Sequence, residues 1–239
     1  MADTDKMFAL VELAGAVAHE LNNIFTAVTG NLSLLDEEAG AHGETGARID
    51  EVIRTAQRGI VLSSKLQAFA GRQPLRRKRI DVGRLAARAA HRMLADAPVG
   101  VRARIEPTRD QLFSFVDEDK LGAAVEEIIR NAIAAMSDGG RLTIAWRRHE
   151  ATAKADASQP ALRPGRYALI AVSDTGRGMT SDVAARAVDP LFTTKKAGIN
   201  AGWGLSSCAG FIRQSGGYMT LASRPGIGTR IEFYLPLQE

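Results

Sequence analysis

The sequence predicts an α+β protein in two parts: an N-terminal helical hairpin, expected to pair with a second copy as a four-helix bundle, then an α/β sandwich. Three observations carry this. Apolar residues from Leu10 to Leu35 recur at steps of 3, 4, 4, 3, 4, 4 and 3, the spacing of one face of a long helix. A second helical pattern, from about Ala47 to Ala70, follows a break at Gly40, Gly43 and Gly46. Further along, alternating apolar stretches interleave with helical ones without regular βαβ repetition, which places helices on one face of a mixed sheet.

The first helix is built on Leu10, Leu13, Val17, Leu21, Ile24, Val28, Leu32 and Leu35, and the second on Ile49, Val52, Ile53, Ala56, Ile60, Leu66 and Phe69. Joined by a short loop they form an antiparallel hairpin whose apolar stripe is only half covered. A symmetric partner would close it, so a homodimer is expected. Arg72 to Arg79, with Pro74 and the basic run Arg76, Arg77, Lys78 and Arg79, reads as a linker. The expected domains are residues 1–72 and 73–239.

In the second part, Val82 to Leu94 reads as a helix, Val101 to Ile105 and Leu112 to Val116 as strands, and Asp119 to Met136 as a helix. Arg141 to Arg148, Tyr167 to Ser173, Tyr218 to Ser223 and Thr229 to Leu235 read as strands. A helix from about Leu205 to Ser215 precedes the last pair. His149 to Pro164, rich in Ala, Ser, Asp and Pro, reads as a surface loop. The sequence carries no internal repeat.

Bulk numbers narrow the class. With 45% hydrophobic and 24% charged residues in 239, the chain has the balance of a globular protein with a sizeable core. No apolar run approaches the roughly 20 residues that cross a bilayer, and the first residues lack the pattern of a secretory signal. The single cysteine, Cys208, excludes an internal disulfide and a multi-thiolate metal site, so a reducing cytoplasm is expected. A net charge of +4 is mild and gives no reason to expect nucleic acid as a partner.

His19 stands two residues, about 200° on the helical wheel, beyond Val17, so its imidazole is expected to leave the apolar stripe and face solvent. A neutral imidazole has a lone pair that can attack phosphorus. Glu20 is placed to orient the ring or take its proton. Asn23, one turn on, lies on the same face, where its amide can position a water against a phosphoryl group. An isolated His-Glu pair is ordinarily only a solvated pair; Leu21-Asn22-Asn23 and the downstream residues set this one apart.

Downstream, Asp174 ends an apolar strand and precedes a Gly-x-Gly turn. A carboxylate held there can accept a hydrogen bond from an exocyclic amine, which selects adenine because the wrong base leaves a buried polar group unpaired. Gly176 and Gly178 are expected to let the backbone approach the base. In the helix with core face Leu121, Ala124, Val125, Ile128, Ile129 and Ala132, the Asn131 carbonyl can ligate Mg²⁺, and Glu127 is four residues earlier on the same face. Phe192 is an aromatic anchor after Asp189-Pro190. Lys195 and Lys196 add charge for a triphosphate. The stretch through Gly202, Trp203, Gly204 and Leu205 opens a helix whose amides can face phosphate oxygens, and reads as a lid. It is neither the phosphate loop of P-loop enzymes nor a dinucleotide fingerprint.

Over nearly its whole length the chain resembles the core of two-component sensor histidine kinases, and its wording is most similar to the nitrogen-regulator-like and hybrid members. The His19 segment resembles the phosphoacceptor box, the Asn131 helix the N box, Asp174 to Gly178 the first glycine box, Phe192 the F box and Gly202 to Leu205 the second glycine box. Gly216-Gly217 and Ser223 to Thr229 resemble the closing strands. The resemblance implies a Bergerat-fold ATP domain, with Met179 and Thr229 joining the nucleotide contacts. It also implies autophosphorylation of His19 from Mg-ATP, transfer to an aspartate of a response regulator, and Asn23 support for the reverse dephosphorylation.

Two departures stand out. Glu127 occupies a position where many kinases have a second Asn and gyrase-like relatives a water-activating Glu. Asn200, Ala201 and Trp203 replace what are often Gly, Thr and Leu. No sensor is recognisable in the 18 residues before His19, nor a receiver domain after Glu239. Two other readings are an ATP-independent phosphotransfer adapter with a degenerate ATP domain, and a gyrase-like ATPase module in which His19 is structural.

Overall fold

The computed structural model describes residues 2–39, 44–71, 73–108, 110–152, 162–190, 192–194 and 202–238, with side chains described at all of these except 2–14, 19, 36–39, 44 and 69. The chain divides into two compact units, Met1–Gln73 and Pro74–Glu239. No helix among the described residues is long and apolar enough to cross a membrane.

The first unit holds α1 (Ala2–Ala39) and α2 (Glu44–Ala70), packed against each other. Both begin earlier than the apolar spacing indicates, at Ala2 and Glu44, and Gly46 lies inside α2. Small residues make the closest approach. Ala18 and Ala56 are buried, and the buried Ser63 hydroxyl donates to the Ala18 carbonyl. The Phe25 ring fills the space beside Gly59, where a Cβ would lie 2.4 Å from Cζ. The larger apolar residues Val17, Leu21, Ile24 and Val28 are 37–50% exposed in the single chain.

The second unit is a five-stranded sheet covered on one face by helices. Its order is β2 (Val101–Glu106), β4 (Gly140–Ala151), β5 (Gly165–Asp174), β7 (Gly228–Pro236), β6 (Tyr218–Arg224). The β2–β4 pair is parallel and the rest antiparallel, giving the mixed sheet expected. Helices α3 (Val82–Ala95), α4 (Glu118–Ala134) and α6 (Gly204–Gln214) bury Leu85, Ile128, Ile129 and Phe211 against Leu142, Ile144, Ile170, Val172 and Phe233. Each such side chain removed from water contributes about 1.5–3 kcal/mol. Local signals set the helix starts: Asp117 accepts from the Lys120 amide at 3.0 Å, and Glu118 and Asp119 face the positive end of α4.

Three expectations change. The basic run read as a linker contains β1 (Arg77–Asp81), which pairs antiparallel with β3 (Phe113–Asp117), Arg77 opposite Asp117. Its charges are matched across the fold: Lys78 meets Glu118 at 2.6 Å, and the Arg79 guanidinium lies 3.7 Å from the centre of the Phe113 ring. The expected loop from His149 begins later, because β4 continues to Ala151 and pairs His149 with Tyr167; residues 153–161 lie outside those described. A short helix, α5 (Ser181–Arg186), went unread; Thr180 caps it by accepting from the Val183 amide at 3.4 Å.

Candidate nucleotide-binding site

The helix-covered face of the sheet opens into a cavity of about 430 Å³ where α4, the end of β5, α5 and the start of α6 converge. It brings together Glu127, Asn131, Asp174, Gly178, Met179, Phe192, Gly202, Gly204, Leu205 and Thr229, all singled out from the sequence. Lys195 lies outside the described residues, as does the side chain of His19. Glu20 and Asn23 are exposed on α1 in the other unit.

Asp174 is fixed from two strands. Its Oδ1 accepts the Gly176 amide at 2.8 Å and the Thr229 amide at 3.3 Å, Thr229 being its register partner on β7. No hydrogen bond engages Oδ2 among the described residues, so an acceptor remains on the cavity wall. Burial pushes the carboxyl above the ordinary aspartate range, against the opposing pull of those two amides.

The glycines of this turn also answer to the protein's own backbone. A Cβ on Gly176 would lie 2.5 Å from the Ala135 carbonyl oxygen, and one on Gly178, at φ +62°, 1.9 Å from that of Arg224. The space is filled by the protein's own backbone. The turn is thereby pinned to the end of α4 and to the β6–β7 hairpin, through Arg177 N–H to Ala135 at 3.0 Å and Gly226 N–H to the Arg177 carbonyl at 2.8 Å. The Met179 amide donates to Ser223 Oγ at 2.9 Å, extending the same clamp.

On α4, Asn131 Nδ2 donates to Glu127 Oε1 at 2.9 Å, and Arg130 pairs with Glu127 Oε2 at 2.5 Å. The Glu127 carboxylate lies against Gly204, the first residue of α6. That end of α6 has no side-chain cap, and its amides point where negative charge is favoured. Trp203 is buried, with its carbonyl accepting the Ser207 amide at 3.0 Å and the Ser206 hydroxyl at 3.1 Å. On the opposite wall the Arg186 guanidinium sits 4.4 Å from the centre of the Phe192 ring.

Sequence reasoning passed over Arg177, Thr180, Val183, Thr193 and Thr194, which also line the cavity. The cap residue Thr180 was the available signal for α5; Arg177 lies within the Asp174–Gly178 box, and Thr193 and Thr194 directly follow Phe192. Among the described residues, no cluster of three or more His, Cys, Asp or Glu is arranged to hold a metal.

This geometry, a half-buried carboxylate at a strand end facing an Asn-bearing helix and a glycine-led helix start, defines an ATP-binding domain. Residues 116–239 match the family described as histidine kinase-, DNA gyrase B- and HSP90-like ATPases, and the chain belongs to it. It carries the ATP-binding core of a two-component histidine kinase.

Its relatives agree. The chain is 33% identical over 238 residues to the sensor kinase CckA of Brucella abortus (strain 2308), covering 99% of this chain and 25% of that protein. It is 26% identical over 239 residues to the sensor histidine kinase ZraS of Klebsiella oxytoca, covering 99% and 48%. The chain thus spans between a quarter and about half the length of these relatives. Full-length ShkA, solved in complex with AMPPNP, has the same fold at a TM-score of 0.60 and 20% identity, over 95% of this chain and 46% of that one. The mycobacterial sensor histidine kinase MprB aligns at a TM-score of 0.53 and 20% identity, over 68% and 98%.

Proposed function

We propose that this chain is the phosphoacceptor and catalytic core of a protein-histidine kinase, working as a homodimer in the cytoplasm. The observation that carries the reading is Asp174, whose Oδ2 has no partner among the described residues and faces a cavity of nucleotide size. Oδ2 accepts the exocyclic amine of adenine, and the uncapped start of α6 takes the phosphates. Glu127 and Asn131 offer hard oxygen donors suited to Mg²⁺, which supplies charge neutralisation of the triphosphate when bound.

In the reaction, a lone pair of the His19 imidazole attacks the γ-phosphorus while the bond to the β,γ-bridging oxygen breaks, releasing ADP. Glu20 orients the ring and takes its proton. The phosphoryl group then moves to an aspartate carboxylate of a response-regulator receiver domain. Asn23 supports the reverse task, hydrolysis of that acyl phosphate. Alignment and charge compensation account for most of such catalysis.

The exposed stripe of Val17, Leu21, Ile24 and Val28 supports the homodimer, since a second hairpin is the cover that a four-helix bundle supplies. The open cavity favours this reading over an adapter with a degenerate ATP domain. A gyrase-like hydrolase retains one specific support, the Glu127 carboxylate held in the cavity by Asn131 and Arg130. Incubation with γ-labelled ATP and Mg²⁺ tests the proposal. Acid-labile label on the wild type and its loss in His19→Ala are expected. Label that survives His19→Ala sinks the kinase reading, and turnover lost in Glu127→Ala but kept in His19→Ala favours the hydrolase.

A further inference from the structure

The sheet has a second face. Along β4, β5 and β7, residues alternate between the helix-covered core and the opposite side. Val172 and Ile231 line the nucleotide cavity, whereas Ala171, Ser173 and Arg230 line a separate groove of about 450 Å³. That volume lies within the ~300–1,000 Å³ of small-ligand sites.

Thr143, Ala145, Ala171 and Ser173 form the floor, with Thr143 opposite Ser173 and Ala145 opposite Ala171 in register. Side chains this small leave the pleated surface open and flat. Leu169, Pro107 and Thr108 also line the groove.

Charge on this face is one-sided. By strand alternation it carries Arg102, Arg104, Arg141, Arg147 and Arg230 against Glu106 and Glu232. Both glutamates are already paired, Glu106 with Arg104 at 2.9 Å and Glu232 with Arg230 at 2.6 Å. Arg102, Arg141 and Arg147 have no acidic partner among the described residues, and all three are exposed. Arg102 and Arg141 are neighbours in register, where two like charges repel unless an anion lies between them. The unpaired Arg147 fork lines the groove itself.

We propose that this groove binds a small organic phosphate, with its flat apolar moiety on the Ala145–Ala171 floor and its anionic oxygens on Arg147. The planar guanidinium matches phosphate oxygens two at a time. Arg102 and Arg141 add attractive field from the far end of the face. The site is independent of the nucleotide reading, because it lies on the other face of β5 and β7 and shares no lining residue with the first cavity.

Calorimetry on the full 239-residue chain without Mg²⁺ tests this, with GDP and pyrophosphate as probes. Guanine has a carbonyl at C6 where adenine has the amine that Asp174 accepts, so GDP is disfavoured in the nucleotide cavity and reports on the groove. One saturable GDP site is expected, retained in Asp174→Asn and weakened at least tenfold in Arg147→Glu. Arg141→Glu, whose side chain is also exposed, should weaken binding several-fold if Arg147→Glu proves poorly folded by circular dichroism. Pyrophosphate should bind more weakly than GDP. Absence of saturable GDP binding at millimolar concentration, indifference to both charge reversals, or loss in Asp174→Asn overturns the proposal. Pyrophosphate binding equal to that of GDP overturns the role given to the floor.

Discussion

Glu127 of α4 touches Gly204 at the start of α6: a Cβ on the glycine would lie 2.0 Å from the glutamate Oε1. The contact joins two elements of the nucleotide cavity far apart in sequence. It depends on the absence of a side chain at residue 204.

Gly204→Ala should separate binding from stability. The clashing atom is the far end of a flexible side chain, and Ala favours a helix over Gly, so the unfolding free energy should move by less than about 1 kcal/mol. The Glu127 carboxylate must nevertheless swing away from Asn131, breaking their 2.9 Å hydrogen bond. Mg-ATP affinity should fall about tenfold, equivalent to about 1.4 kcal/mol. Titration and thermal melts on one preparation decide it, and unchanged affinity would discard the Glu127–Asn131 pair as part of the site.

Asp174 makes a prediction in pH. Its pKa lies above the ordinary 3.8 because burial disfavours the charge. The folded state therefore holds this proton to higher pH than the unfolded chain does. This residue's contribution favours folding at low pH and is lost as pH rises through its folded pKa. Adenine binding runs the other way, since the ionised carboxylate is a stronger acceptor for the amine than the protonated acid, so ATP affinity should decline on acidification before an ordinary aspartate would protonate. Asp174→Asn should bind ATP at least a hundredfold more weakly without loss of stability. A variant that unfolds instead would show the carboxylate to be structural.

The α1 stripe makes a prediction about assembly. Ile24→Glu combined with Val28→Glu places two charges on a surface proposed to be buried between copies. The dimer dissociation constant should rise at least a hundredfold, about 2.7 kcal/mol, while ATP binding by the second unit is unaffected. Sedimentation velocity at micromolar concentration would show the monomer; a persisting dimer would move the interface elsewhere.

Short-range physics was legible in the chain. The 3.6-residue repeat of Leu121 through Ala132 and the two-residue alternation of Val101 to Ile105 depend only on near neighbours, and such patterns sufficed for the helices and main sheet. Residue chemistry marked Asn131, Glu127 and Asp174, and the family resemblance added Met179 and Thr229, which meet them in the cavity. The strand at Arg77–Asp81 was not legible, because a run of basic residues becomes a strand only when Phe113–Asp117 and Glu118 lie beside it. Long-range packing likewise decided why Gly176 and Gly178 are glycines. Their missing side chains make room for the Ala135 and Arg224 carbonyls, which no local pattern places there. The arginine-rich second face belongs to the same class: its charges come from β2, β4 and β7, and only the register of the sheet gathers them around one groove.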